Sequence, residues 1–196
     1  VVNLTCAGKY EKYQTPKKSI PEHQLQDPWE TCMTLTNDWG WVKRPVFKSP
    51  ARIIAVLAEV VAKGGSLLLG VGPTPEGLIE DEAVVRLKEI GKWLDKNGEA
   101  IYSTVATPIY TNAEQNIWFS SSKDQKTIYA VIPQKDDAEN KPLTISWQGN
   151  TPRKGSKIIN LATKKAVKYT TKDNTTTITL PKGLAGTNGV ALKIEL

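Results

Sequence analysis

A chain of 196 residues, 39% of them apolar, holds one large domain or two small ones and carries enough apolar material for a core, which excludes disorder as its resting state. Its net charge of +6 comes from lysines (Lys17-Lys18, Arg153 to Lys157, Lys164 to Lys172) set among Thr, Ser and acidic residues. That is the pattern of a solvated sheet face and not of a nucleic-acid footprint. No run reaches the roughly 18 apolar residues of a membrane helix, and one histidine without CxxC or HExxH spacing leaves no metal or cofactor motif.

The sequence opens on Val1-Val2-Asn3, without the charged and apolar regions of a secretory signal. With Met33 as its only methionine, we expect that the amino terminus is not the start of a gene product. Residues 1–27 read as a long loop, because Pro16, Pro21 and Pro28 break helical continuity. Loops of that length inside a domain are usually functional. Trp29 to Thr36 is predicted to be a buried strand, with Cys32 as a buried free thiol in it; Cys6 and Cys32 alone prove no disulfide framework.

Ser49-Pro50 is an N-cap followed by Pro at N1. It opens a helix whose apolar stripe is Ile53, Ile54, Leu57, Val60 and Val61, and Gly64-Gly65 ends it. Ser66 to Val71 is a continuous apolar run, as in a strand buried on both faces of a parallel sheet. Residues 72–77 form a loop. A second helix spans about Asp81 to Lys96, with Val84, Leu87, Ile90, Trp93 and Leu94 as its core face and Gly98 as its stop.

Strand, helix, strand, helix in that order implies βαβ units. The fold class expected is α/β: the last βα units of a (β/α)8-like barrel, followed by an antiparallel β-sandwich. Two or three strands cannot close such a barrel. We place the domains at 1–103 and 104–196. Beyond the boundary, seven short alternating strands are predicted: 116–120, 127–132, 143–147, 157–161, 167–171, 175–180 and 190–195, with Asp173-Asn174 as a hairpin turn.

The chemistry concentrates between Pro28 and Trp41, where Trp29, Trp39 and Trp41 accompany Glu30. A rigid aromatic wall beside a carboxylate fits a sugar-processing pocket. Trp29, Trp93, Trp118 and Trp147 are assigned to core, and His23 to a loop without catalytic work.

The ordered motifs resemble a family. They are Tyr10-Glu11, Trp29-Glu30-Thr31-Cys32-Met33-Thr34 and Trp39-Gly40-Trp41, then the run from Lys63-Gly64-Gly65 to Gly72-Pro73. Ile90-Gly91-Lys92-Trp93-Leu94 and Asn97-Gly98-Glu99-Ala100-Ile101-Tyr102 complete the set. Over residues 1 to about 105 the chain looks like the carboxy-terminal half of a family 29 α-L-fucosidase. The resemblance implies a retaining hydrolase acting on fucosylated glycans or fucosides, outside the cytoplasm (periplasmic or secreted). Such an enzyme needs a nucleophile and a general acid/base about 5–5.5 Å apart.

The family's nucleophile is an Asp in a Trp-x-Asp-Gly setting, absent here. The rest of the barrel must therefore come from the same or another chain. The acid/base is Glu11 in the branch with broad aryl- and simple-fucoside activity and Glu30 in the linkage-specific branch; Glu11 is preferred. Trp39 matches the aromatic that packs on the fucose C6 methyl. Two departures stand out: Gly70 replaces the usual Asn, and Leu4 follows Asn3 where an Arg is usual. The competing reading is a non-catalytic carbohydrate-binding or scaffold module.

Overall fold

The computed structural model describes residues 13–134, 142–181 and 188–196. Strand β1 (Glu30–Thr34) and strand β2 (Ser66–Gly70) pair in parallel, Glu30 opposite Ser66 and Thr34 opposite Gly70. Helix α1 (Pro50–Ala62) crosses between them. The Ser49 side chain caps α1 by accepting from the Arg52 amide at 3.0 Å. At the other end Gly64, at φ 79°, lets the Gly64 and Gly65 amides reach the Val61 and Val60 carbonyls. This is the Schellman closure that the Gly-Gly pair announces.

Residues 1–27 were expected to be a loop throughout, yet the part from Gln14 to Lys18 lies parallel to β1. Gln14 bridges to Trp29 and Lys17 to Cys32, with four backbone hydrogen bonds of 2.9–3.1 Å between the two segments. Pro16 keeps the ladder irregular, having a carbonyl but no amide to offer. Cys32 is a free thiol but only half-buried among the described residues.

Helix α2 (Asp81–Asn97) departs from its predicted face. Ala83, Ile90, Trp93 and Asn97 are buried, whereas Leu87 is exposed. Apolar residues cover more of this helix than the stripe it buries. Gly98 does not stop the helix in a left-handed cap. It sits at φ −59° and leads directly into a 3₁₀ turn, Gly98–Ala100.

The remaining strands form two antiparallel sheets. The larger contains β3 (Thr104–Val105), β4 (Thr111–Asn112), β5 (Ile117–Ser122), β6 (Thr127–Pro133), β8 (Ile158–Asn160), β9 (Ala166–Val167) and β12 (Gly189–Glu195). Its order is β3-β5-β6-β12-β8-β9, with β4 also on β5. The smaller is β10 (Tyr169–Lys172), β11 (Thr175–Leu180) and β7 (Leu143–Gln148), in that order. The single strand expected over 167–171 is in fact two, because the chain passes from one sheet to the other at Lys168. Asp173 and Asn174 both take positive φ (48° and 60°), as a tight two-residue hairpin requires.

Between the sheets lie Ile117, Phe119, Ile128, Ala130, Ile132 and Leu192 from one side and Ile145, Trp147, Ile178 and Leu180 from the other. Full burial of each large apolar side chain contributes roughly 1.5–3 kcal/mol. The opposite face of the larger sheet is covered too. Tyr129, Val131 and Ala191 pack with Ile53, Ile54, Ala58, Ile90 and Trp93 of the helices. The half-buried alternation expected for β6 is therefore replaced by burial at every residue after Thr127. One apolar cluster thus runs across the position 103/104.

A third cluster seats β1 on α1, with Trp29, Val56 and Val60 at its centre. The Trp29 indole nitrogen donates to the Lys63 carbonyl at 3.2 Å. Lys63 is itself buried. Its ammonium pairs with Glu59 at 2.7 Å, donates to the Pro21 carbonyl at 2.7 Å and lies 5.4 Å from the Trp118 ring centre. This buried charge thus pins loop, helix and sheet together.

Candidate active site

The parallel pair has two distinct ends. At the amino end lies Glu30, half-buried, its amide donating to the Gln14 carbonyl at 2.9 Å. At the carboxyl end the chain leaves β1 through Thr36, Asn37 and Asp38 into Trp39-Gly40-Trp41. The five residues from Glu30 to Thr34 span about 13 Å of strand. The structure therefore does not bring Glu30 and Trp39 together. Glu11 and Tyr10 lie outside the described residues. Glu22 is exposed, 3.8 Å from His23.

The carboxyl end is polar and cationic. Trp39 leaves 49% of its surface open. Lys18 lies over it with Nζ 5.0 Å from the ring centre and donates to the Asn37 carbonyl at 2.6 Å. A cation on an aromatic face stabilises by about 0.5–1 kcal/mol at exposed sites. Lys48 donates to the Thr34 carbonyl at 2.7 Å and to the Thr36 carbonyl, which closes off the frayed end of β1. Its ammonium is held below the ordinary lysine range, first by burial and then by repulsion from Lys18 and Arg52, with Asp38 opposing.

Trp41 is fixed differently. Its indole donates to the Glu80 carboxylate at 3.0 Å. Glu80 is the N-cap of α2, yet its side chain makes no cap hydrogen bond; Asp81 and Glu82 supply negative charge to the first turn in its place. The β1 exit loop is thereby tied to the start of α2. Chemically this end offers an open aromatic slab, a row of engaged carbonyls and a concentration of ammonium groups.

Sequence reasoning found Trp39 but missed Lys18, Lys48 and Glu80. Lys48 had one usable signal, its place directly before a Ser-Pro helix start. Lys18 had none, because its partner is reached only through the parallel pairing of Gln14 and Lys17. Among the described residues, no group of three His, Cys, Asp or Glu side chains converges as metal ligands. No described helix is long and apolar enough to cross a membrane.

Comparison with known proteins places these elements. The model of the alpha-L-fucosidase family matches residues 1–99. The plasma alpha-L-fucosidase of Rattus norvegicus is 33% identical over 138 residues, covering 65% of this chain and 27% of that protein. The chain thus spans about a quarter of the length of such relatives. Among solved structures, alpha-L-fucosidase isoenzyme 1 from Paenibacillus thiaminolyticus superposes with a TM-score of 0.78 at 25% identity, over 94% of this chain and 45% of that one. The alpha-fucosidase of Thermotoga maritima in complex with fucose gives 0.71 at 25% identity, over 93% and 42%.

Proposed function

The chain belongs to the α-L-fucosidase family, and from that premise we propose that it is the carboxy-terminal part of a retaining α-L-fucosidase. The whole protein would release terminal α-L-fucose from glycans or simple fucosides, outside the cytoplasm. The observation that carries this reading is the family match across β1, α1, β2 and α2.

In this reading residues 1–103 furnish the last βα units of a (β/α)8 barrel and 104–196 an accessory sandwich. The other barrel units come from the same or another polypeptide. The exposed Leu68 on β2, with Leu78 and Ile79 beyond it, supports this. Parallel sheets are normally covered on both faces, and these residues are the apolar surface left uncovered.

Trp39 supplies a wall for the fucose C6 methyl, whose burial is worth about 0.8 kcal/mol. The nucleophilic Asp comes from outside this chain. It attacks the anomeric carbon while the acid/base protonates the departing oxygen; the same group then deprotonates the water that releases fucose. We assign the acid/base to Glu11 ahead of Glu30. Chemistry in α/β barrels gathers at the carboxyl ends of strands, and Glu30 begins its strand.

The test is leaving-group dependence in the full polypeptide. Glu11→Ala should cut turnover about 10²–10⁴-fold on fucosides with poor leaving groups and far less on activated aryl fucosides, which need no proton. Equal losses on both substrates would remove Glu11 from the role. Azide rescue of Glu30→Ala but not of Glu11→Ala would transfer the role to Glu30. Fucose binding without any hydrolysis would leave the binding-module reading.

A further inference from the structure

Between the Lys18–Ile20 segment, β1 and α1 lies a cavity of about 440 Å³. Met33 and Ile53 give it an apolar floor. Lys18, Lys48 and Arg52 stand on its walls with the Ser19 and Thr34 hydroxyls. The carboxylate that lines it, Glu59, is already held by Lys63 at 2.7 Å. Among the described residues, Lys18, Lys48 and Arg52 form no ion pair. The two lysines bond chiefly to backbone carbonyls, of Asn37 for Lys18 and of Thr34 and Thr36 for Lys48, which engage their protons but cancel no charge.

The surroundings deepen the positive field. Arg52 sits in the first turn of α1, where there is no acidic residue. A cation at that end opposes the helix dipole. Burial and the neighbouring Lys18 and Arg52 already disfavour the charged form of Lys48, and Asp38 offsets them only in part. An anion entering the cavity relieves all three repulsions at once. Lys18 also joins this cavity to the candidate substrate wall, since the ammonium that lines the one lies over Trp39 of the other.

We propose that this cavity is a subsite for an oxyanion substituent of a glycan, a sulfate ester or a uronate carboxylate, beside the sugar that meets Trp39. The subsite rests on the glycosidase reading for its ligand class, but its occupancy can be measured without turnover. The full polypeptide is titrated with sulfate and with acetate by calorimetry, at constant ionic strength against chloride. Sulfate or acetate should bind more tightly than chloride, and Arg52→Gln and Arg52→Glu should weaken that binding at least tenfold. Lys48→Met should do the same. Because Lys48 also closes the end of β1, the exposed Arg52 is the deciding position. Binding to sulfate alone assigns the site to sulfate esters, and binding to acetate alone assigns it to carboxylates.

With fucosides carrying anionic or neutral aglycones, Arg52→Gln should lower kcat/KM for the anionic one at least tenfold more than for the neutral one. No binding beyond chloride, or binding that both Arg52 variants leave unchanged, overturns the subsite. A protein that binds sulfate through Arg52 but cleaves no fucoside keeps the site and loses the glycosidase reading. One that cleaves neutral fucosides but ignores both anions loses only the subsite.

Discussion

Strand β6 is walled in on both faces and both edges, whereas β2 is paired along one edge only and leaves Leu68 45% exposed. Both are short apolar runs. For β6 the cover is internal to this chain, the smaller sheet on one side and α1 with α2 on the other. For β2 the described residues supply β1 and α1 and leave Leu68, on the opposite side, open. Among the described residues the sandwich is therefore covered on both faces, and the parallel pair is open on one. An apolar strand tells how many faces will be covered but not which polypeptide segment covers them.

The largest expected effect tests that difference directly. Trp147→Ala removes a side chain with 1% exposure from between the two sheets and should destabilise by about 3–5 kcal/mol. Leu68→Ala in the present chain should stay within about 1 kcal/mol, since much of the side chain never left water. If the full polypeptide closes the proposed barrel over this face, the Leu68 loss should rise to about 2–5 kcal/mol. Urea unfolding midpoints of both variants in both lengths decide the matter. A Leu68 loss that does not change with length would show that β2 gains no further cover.

A smaller effect asks whether the half-open pair is nonetheless rigidly seated. Gly65 precedes β2, and a Cβ there would collide with the buried Trp29 indole. Gly65→Ala should cost about 1–3 kcal/mol through overpacking. Gly77, at φ +83°, has open space where a Cβ would stand. Gly77→Ala should therefore cost only the backbone preference, about 1 kcal/mol. A Gly65→Ala melt that coincides with the parent's would mean that Trp29 yields and that the seat is soft.

These contrasts also mark what could be read beforehand. Helix α1 was legible because its signals are local: Ser49-Pro50 at one end, Gly64-Gly65 at the other. The strands of the sandwich were legible from alternation and turn residues. The parallel rung at Gln14 and Lys17, the sheet change at Lys168 and the burial of Lys63 were not. Each depends on partners 12 or more residues away, or on which face of a neighbour happens to be occupied. The candidate site divides the same way. Trp39 stood out by residue type, while Lys18 and Lys48, ordinary lysines in sequence, gained their meaning only when the exit of β1 placed them around one cavity.

The smallest effect concerns how the covered and half-open regions are joined. Glu99, in the 3₁₀ turn after α2, accepts from Tyr129 of β6 at 3.1 Å and from Lys193 of β12 at 2.7 Å. The hydrogen bond from Lys193 is the main reason its carboxyl is held below the usual range. Burial first, and Glu99 second, pushes Tyr129 up to about 12. The two groups act at opposite ends of the pH scale. A carboxyl with a lowered folded pKa stabilises above its unfolded value, and that contribution fades as acid titrates it through the folded value. A tyrosine with a raised pKa stabilises fully below about 10 and loses that contribution as pH climbs toward its folded value. Because Glu99 and Lys193 are partly open to solvent, Glu99→Gln should cost under about 1 kcal/mol at neutral pH. It should also flatten the acid limb of the stability profile, while Tyr129→Phe should remove the alkaline limb. Urea midpoints across pH provide the check. A Glu99→Gln curve that runs parallel to the parent at low pH would mean that this contact carries no charge-dependent coupling between α2 and the sandwich.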